Sequence, residues 1–465
     1  MDSHVRALSR RGFLAAATAS LVSTTVGAPA GTEVSTPENY RVIRARRASV
    51  DLLGRGRATT AVSTYDGIVP GPILRLRQGE ELKVQLINEL PEPTIVHWHG
   101  IRLPNAMDGA PDLTQPPIEP GASFLYRFAV PDAGTFWYHS SFRSPGQLGH
   151  GLYGAVVVEE ARHVDVDRDV VLILADWRLN PDGSLAALVS GHAELTVNGE
   201  PSVTIPVATN ERVRVRLINA ATARIFRLRV DQHRVFVMAI DGQPAEPYQA
   251  RDGRVTIGPG NRMDLFIDAT LEPGASAALV AEEQDSDVAL AHLVYASGPV
   301  HLRLRADPEG LPPNRLPERM QFAGAFRLEM TLDGAGSKLL PYDGGMKDRE
   351  TPSQSIVPGS GHTVGRTWPG ASGPPMFSVK RGRVVQMAFV NRSALTHSMH
   401  IHGHSFRLLD ALDDGWKPLW LDNVLVAPAR TERIAFAADN PGKWMLQGSV
   451  LGHEDGGMAG WFEVT

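Results

Sequence analysis

Val203 to Asn219 reads VTIPVATNERVRVRLIN: a short strand, a polar turn, then a strand in which Arg and apolar residues alternate until Asn219. Two other segments read the same way, Ile73 to Asn88 (ILRLRQGEELKVQLIN) and Met376 to Asn391 (MFSVKRGRVVQMAFVN). A second element follows each of them: Pro131-Asp-Ala-Gly-Thr-Phe-Trp-Tyr, Pro273-Gly-Ala-Ser-Ala-Ala-Leu-Val and Pro441-Gly-Lys-Trp-Met-Leu. Period-two alternation, as in Arg212-Val-Arg-Val-Arg-Leu-Ile, puts apolar side chains on one face of a strand and charge on the other. Such strands between turn signals predict β-sandwiches. Three repeat units predict three sandwiches, over 31–160, 161–310 and 311–465. Pro341 to Pro375 is rich in Gly, Pro and Ser without periodicity and reads as a long mobile loop inside the third.

Composition agrees with an all-β reading. The 465 residues suffice for two to four domains at ~150 residues each, and Gly 45 with Pro 34 favours many turns over long helices. A formal net charge of -5 provides no basic field for nucleic acid or an anionic membrane surface. There is no cysteine, which removes disulfides, thiolate metal sites and cysteine nucleophiles together. At the N-terminus, Arg10-Arg11 precede an apolar run from Phe13 to about Val26, with Ala28-Pro29-Ala30 behind it. The run is shorter than the roughly 20 residues of a membrane span. Residues 1–30 therefore read as a twin-arginine export signal, with the export machinery as partner and a soluble periplasmic or secreted product.

Chemistry concentrates in the histidines. Of 16, two stand at His97-Trp-His99-Gly, one at Trp-Tyr-His139, and four at His397-x-x-His400-x-His402-Gly-His404. Residues i and i+2 on a strand project from one face, so His97/His99 and His400/His402 each offer a parallel pair of imidazoles. The segment after Asn219 has no such pair.

These motifs resemble the three-domain multicopper oxidases, including bacterial laccase-like members, over essentially the whole mature chain. The resemblance rests on His97-Trp-His99-Gly, on Leu103-Pro-Asn-Ala-Met-Asp108-Gly-Ala-Pro, and on Asp132-Ala-Gly-Thr-Phe-Trp-Tyr-His139-Ser-Ser141. It also rests on the histidine run from His397, and on Gln447-Gly448-Ser449-Val-Leu-Gly-His453-Glu454-Asp-Gly-Gly-Met458. It implies three cupredoxin-like Greek-key sandwiches and copper as cofactor. It further implies a type 2 pair (His97, His400), type 3 ligands (His99, His139, His402), and an incomplete blue site (His397, His453, Met458). The family's remaining ligand positions are Ser141, Gln447, Gly448 and Ser449 here, with Gly448 where the blue-copper cysteine belongs. Asp108 and Glu454 match the family's acidic proton donors. The expectation is a monomeric, copper-binding family member holding at most one tight copper, with blue-copper electron transfer and laccase turnover lost. The alternative is a non-catalytic exported binding protein, like the copper-free cell-division member of the superfamily.

Overall fold

Asn88, Asn219 and Asn391 do the same work at the end of the same strand, three times over. Each is buried. Each amide nitrogen donates to two backbone carbonyls: Glu92 and Ile118 for Asn88, Arg224 and Ile257 for Asn219, Leu395 and Val426 for Asn391. Each Oδ1 accepts the N–H two residues on, from Leu90, Ala221 or Ser393. An Asn side chain can imitate a backbone turn in this way, and so the strand stops where the motif says it does.

The computed structural model describes residues 37–465 apart from 143, 187–191, 284–285, 298–304, 333–361, 364–372, 410–415 and 450–458. The twin-arginine segment, most of the Pro341–Pro375 stretch, and His453, Glu454 and Met458 lie outside the described residues. Regular structure in the described chain is almost entirely strand, in six sheets that pair off along the sequence. The first pair contains Arg41–Val50 and Glu81–Asn88 in one sheet, with His97–His99, Gly134–His139 and Tyr153–Glu159 in the other. The middle pair is built around Arg168–Leu179, Glu211–Asn219 and Arg262–Ala269. The last pair is built around Phe326–Leu332 and Val384–Asn391, facing His397–Ile401, Gly442–Gly448 and Ala459–Val464. One parallel pairing recurs in all three: Arg41–Val50 beside Glu81–Asn88, Arg168–Leu179 beside Glu211–Asn219, and Phe326–Leu332 beside Val384–Asn391. The fold is three cupredoxin-like β-sandwiches.

The charged face of Glu211–Asn219 is not a solvated surface. Arg212, Arg214 and Arg216 are buried to the same degree as the valines between them. Arg212 pairs with Asp268, and Arg214 with Glu160 and Asp264. Arg216 pairs with Asp169 and Asp264, and also donates to Thr135 Oγ1. Thr135 and Glu160 come from the first sandwich or its exit, so the alternation marks an interface between sandwiches. Guanidinium forks tolerate this burial because every fork meets a carboxylate.

Candidate metal centre

His97 and His99 leave the strand His97–His99 on one side, as period two requires, and meet His400 and His402 from the strand His397–Ile401 and the residue beyond it. His139 joins them from the neighbouring strand, where it is the register partner of His97. The five rings pack closely. His97 stacks on His402 with centroids 3.8 Å apart, and His99 on His400 at 3.7 Å. All five are at most 3% exposed. One ring nitrogen each from His97, His99 and His400 lie within 4.8 Å of one another, and so do a ring nitrogen each of His97 and His402 with a carboxylate oxygen of Asp108.

Backbone carbonyls decide the tautomers. His97 Nδ1 lies 2.8 Å from Asp108 O, His400 Nδ1 2.8 Å from Asp422 O, and His139 Nδ1 3.0 Å from Ser140 O. A carbonyl only accepts, so each of these rings carries its proton on Nδ1 and presents a bare lone pair on Nε2. His97 Nε2 and His400 Nε2 then face each other across 3.3 Å. His139 Nε2 faces His99 Nδ1 across 3.2 Å. Burial lowers the pKa of all five below the ordinary histidine value, and a neighbouring histidine pushes each of them further the same way; His99 and His139 lie well below it. The cluster is therefore neutral at pH 7, which is the state that ligates metal.

Two carboxylates frame the rings. Asp108 Oδ2 accepts from His402 Nδ1 at 2.9 Å, and Oδ1 lies 3.3 Å from His97 Nδ1. Burial pushes Asp108 up, but His402 and His97 outweigh it and hold the carboxyl well below the usual range. The second carboxylate, Asp422, is absent from the sequence-based ligand set. Its Oδ1 lies 3.4 Å from His99 Nε2 and 3.3 Å from His400 Nδ1, and Arg262 of the middle sandwich grips the carboxylate with Nη1 and Nη2. One signal was visible: Asp422-Asn423 is a polar pair inside the otherwise apolar run Leu419-Trp-Leu-Asp-Asn-Val-Leu-Val426.

The positions that the family resemblance marks as lacking a ligand fall close by. Ser141 is buried and donates to Gly109 O at 2.6 Å. Gln447 stands directly opposite His400 in the sheet, and its buried Oε1 has no hydrogen-bond partner. Gly448 is opposite Met399, and Ser449 N donates to Ser398 O at 2.7 Å. His397 is buried at the other end of its strand, its Nε2 2.7 Å from Ser393 Oγ.

An imidazole cluster of this kind, between the first and last of three cupredoxin-like sandwiches, defines a copper-oxidase architecture. The chain belongs to the multicopper oxidase family. Multicopper oxidase family models match residues 48–163, 168–297 and 337–465. Multicopper oxidase MmcO of Mycobacterium tuberculosis is 29% identical over 98% of this chain and 96% of its own length. Laccase-1 of Fomitopsis schrenkii is 28% identical over 84% of this chain and 81% of its own. Among solved structures, a multicopper oxidase from Pseudomonas thermotolerans is 30% identical, covering 91% of this chain and 98% of that one with a TM-score of 0.76. Lac15 from a marine microbial metagenome is 32% identical, covering 91% and 100% with a TM-score of 0.75. No helix among the described residues is long and apolar enough to cross a membrane.

Proposed function

We propose that this chain is an exported, copper-binding member of its family in which blue-copper electron transfer and laccase turnover have been lost. The observation that carries the reading is the His97–His400 pair. Two Nε2 lone pairs facing each other at 3.3 Å in a buried site repel unless a proton or a cation lies between them. The neutral, low-pKa rings disfavour the proton. Neutral imidazoles suit copper, and copper tops the divalent affinity order. His97 and His400 would hold the ion, with His99, His139 and His402 around it, and bound copper would supply a redox-active Lewis acid. The chain's own residues hold protons in place: Asp108 keeps one on His402 Nδ1, and the carbonyls of Asp108 and Asp422 keep one each on His97 and His400.

The loss of blue-copper chemistry is supported by the absence of cysteine anywhere in the chain, which leaves no thiolate for such a centre. The loss of dioxygen reduction is supported by Ser141, Gln447 and Ser449 at positions where the family resemblance implies imidazole. A second reading, a non-catalytic binding protein, draws support from Ser141, whose hydroxyl is already satisfied by Gly109 O. Copper loading of the purified mature protein tests both. At most one tightly held, non-blue copper per chain is expected. Failure to take up copper overturns the first reading and leaves the second.

A further inference from the structure

All three sandwiches meet at one guanidinium. Arg262 opens the strand Arg262–Ala269 of the middle sandwich and is completely buried. Its Nε donates to Thr135 O of the first sandwich at 3.3 Å, and Nη1 to Gly260 O at 3.0 Å in its own. Nη1 and Nη2 both donate to the carboxylate of Asp422 in the last, Nη1 at 2.8 Å. Asp422 is locked from a second side as well. Its backbone N–H and that of Asn423 donate to Asp241 Oδ2 at 3.3 and 3.1 Å.

The glycine of His97-Trp-His99-Gly100 makes this grip possible. Gly100 has φ +87°, and a Cβ there would collide with both the Arg262 guanidinium and the Asp422 carboxylate. A glycine placed directly after the histidine pair thus makes room for an ion pair contributed by the other two sandwiches.

Asp422 faces a choice that matters to the rings. His99 Nε2 lies 3.4 Å from Asp422 Oδ1 and has no closer partner, while His99 Nδ1 faces His139 Nε2. If the His99 proton sits on Nδ1, the two rings simply hydrogen-bond, and a bare Nε2 is left against a carboxylate. If it sits on Nε2, the proton meets the carboxylate, and two lone pairs face each other between His99 and His139. A buried carboxylate favours the second arrangement.

We propose that Arg262 is the positioning residue of the histidine cluster, acting through Asp422 to keep the His99 proton on Nε2 and so open a second lone-pair couple, His99 Nδ1 with His139 Nε2, to a cation. The consequence for copper rests on the cluster being a metal site; the tautomer does not. Asp422→Asn alone strands the buried guanidinium, so it is read beside the double variant Arg262→Met with Asp422→Asn, which removes both charges, and Arg262→Lys, which keeps both, in the full mature protein.

Two measurements separate this proposal from the reading on which it rests. In metal-free, ¹⁵N-histidine-labelled protein, NMR should place the wild-type His99 proton on Nε2. It should move to Nδ1 in Asp422→Asn and the double variant, and be intermediate in Arg262→Lys. In titrations with Cu(II), the folded double variant should bind 10- to 100-fold more weakly, as outer-shell losses do, and with an altered copper EPR spectrum. A double variant that folds and keeps the wild-type tautomer overturns the proposal. Wild-type protein that binds no copper defeats the copper reading while leaving the tautomer measurement to decide this one.

Discussion

His97 Nε2 and His400 Nε2 lie 3.3 Å apart although 303 residues separate them in sequence. A metal shared by them would tie the first sandwich to the last. A ligand that binds only the folded state stabilises it by about 2.7 kcal/mol at a hundredfold excess over Kd. Copper should therefore raise the apparent melting temperature in differential scanning fluorimetry, with the shift read as apparent because three sandwiches need not melt together. The double variant His97→Ala with His400→Ala should lose both the bound copper and the shift. A copper-dependent shift that survives the double substitution would place the ion elsewhere.

Restoring a thiolate should restore colour without turnover. Gly448→Cys adds the soft ligand that His397, His453 and Met458 lack in the family-based assignment. Copper-loaded Gly448→Cys should show an intense visible thiolate-to-copper band and no four-electron reduction of dioxygen, because Ser141, Gln447 and Ser449 still interrupt the cluster. Laccase activity in this single variant would contradict the ligand assignment.

Acid should weaken the fold through His404. This ring is buried against Phe436, Trp444 and Phe462, and burial pushes its pKa down from 6.5 to about 4. Between these values the unfolded chain binds a proton that the folded chain refuses. The stabilisation is complete above about pH 6.5 and falls as pH drops towards 4, by an amount on the order of 3 kcal/mol from this ring. His404→Leu should flatten the acid limb of melting temperature against pH by up to one proton; an unchanged slope would remove His404 from the account.

Buried and exposed arginines should differ sharply. Arg214→Met takes the fork from Glu160 and leaves Asp264 with Arg216 and Thr135 alone, and should cost about 3–5 kcal/mol, seen as a fall in melting temperature and loss of soluble yield. Arg44→Met breaks only the exposed pair with Glu89 and should cost about 0–1 kcal/mol. Comparable losses in the two variants would mean that the interface network does not carry the stability assigned to it.

The proposed twin-arginine export is tested at two residues outside the described ones. Replacing Arg10 and Arg11 with Lys should leave the precursor in the cytoplasm, as followed by fractionation and immunoblot. Normal export of that variant would refute the twin-arginine reading.

The sandwiches were legible because their signals are local. Alternation, a turn and a terminal Asn lie within 17 residues of Val203–Asn219, and the Asn88, Asn219 and Asn391 clamps close on nearby backbone. The histidine pairs were legible because period two operates within a single strand. Charge alternation gave less away: Arg212-Val-Arg-Val-Arg216 has the pattern of a surface strand, and only the packed sandwiches reveal that Thr135 and Glu160 cover it. Arg262 was illegible for the same reason, and Asp422 showed only as a polar break in an apolar run, with nothing to say what it meets. Each is an ordinary charged residue in its own segment, and its meaning comes from a meeting of three chain regions that no local pattern encodes.

The contact between His97 and His400 also closes the intervening chain into a ring that contains the whole middle sandwich. The entropy of closing such a ring grows only logarithmically, by roughly 0.6 kcal/mol for each doubling of its length. Insertions and deletions inside the ring therefore hardly burden the centre, provided Arg262 still arrives at Asp422. The middle sandwich is free to lengthen, shorten or change its outer loops over evolutionary time, while one guanidinium keeps it answerable to a site made by its neighbours.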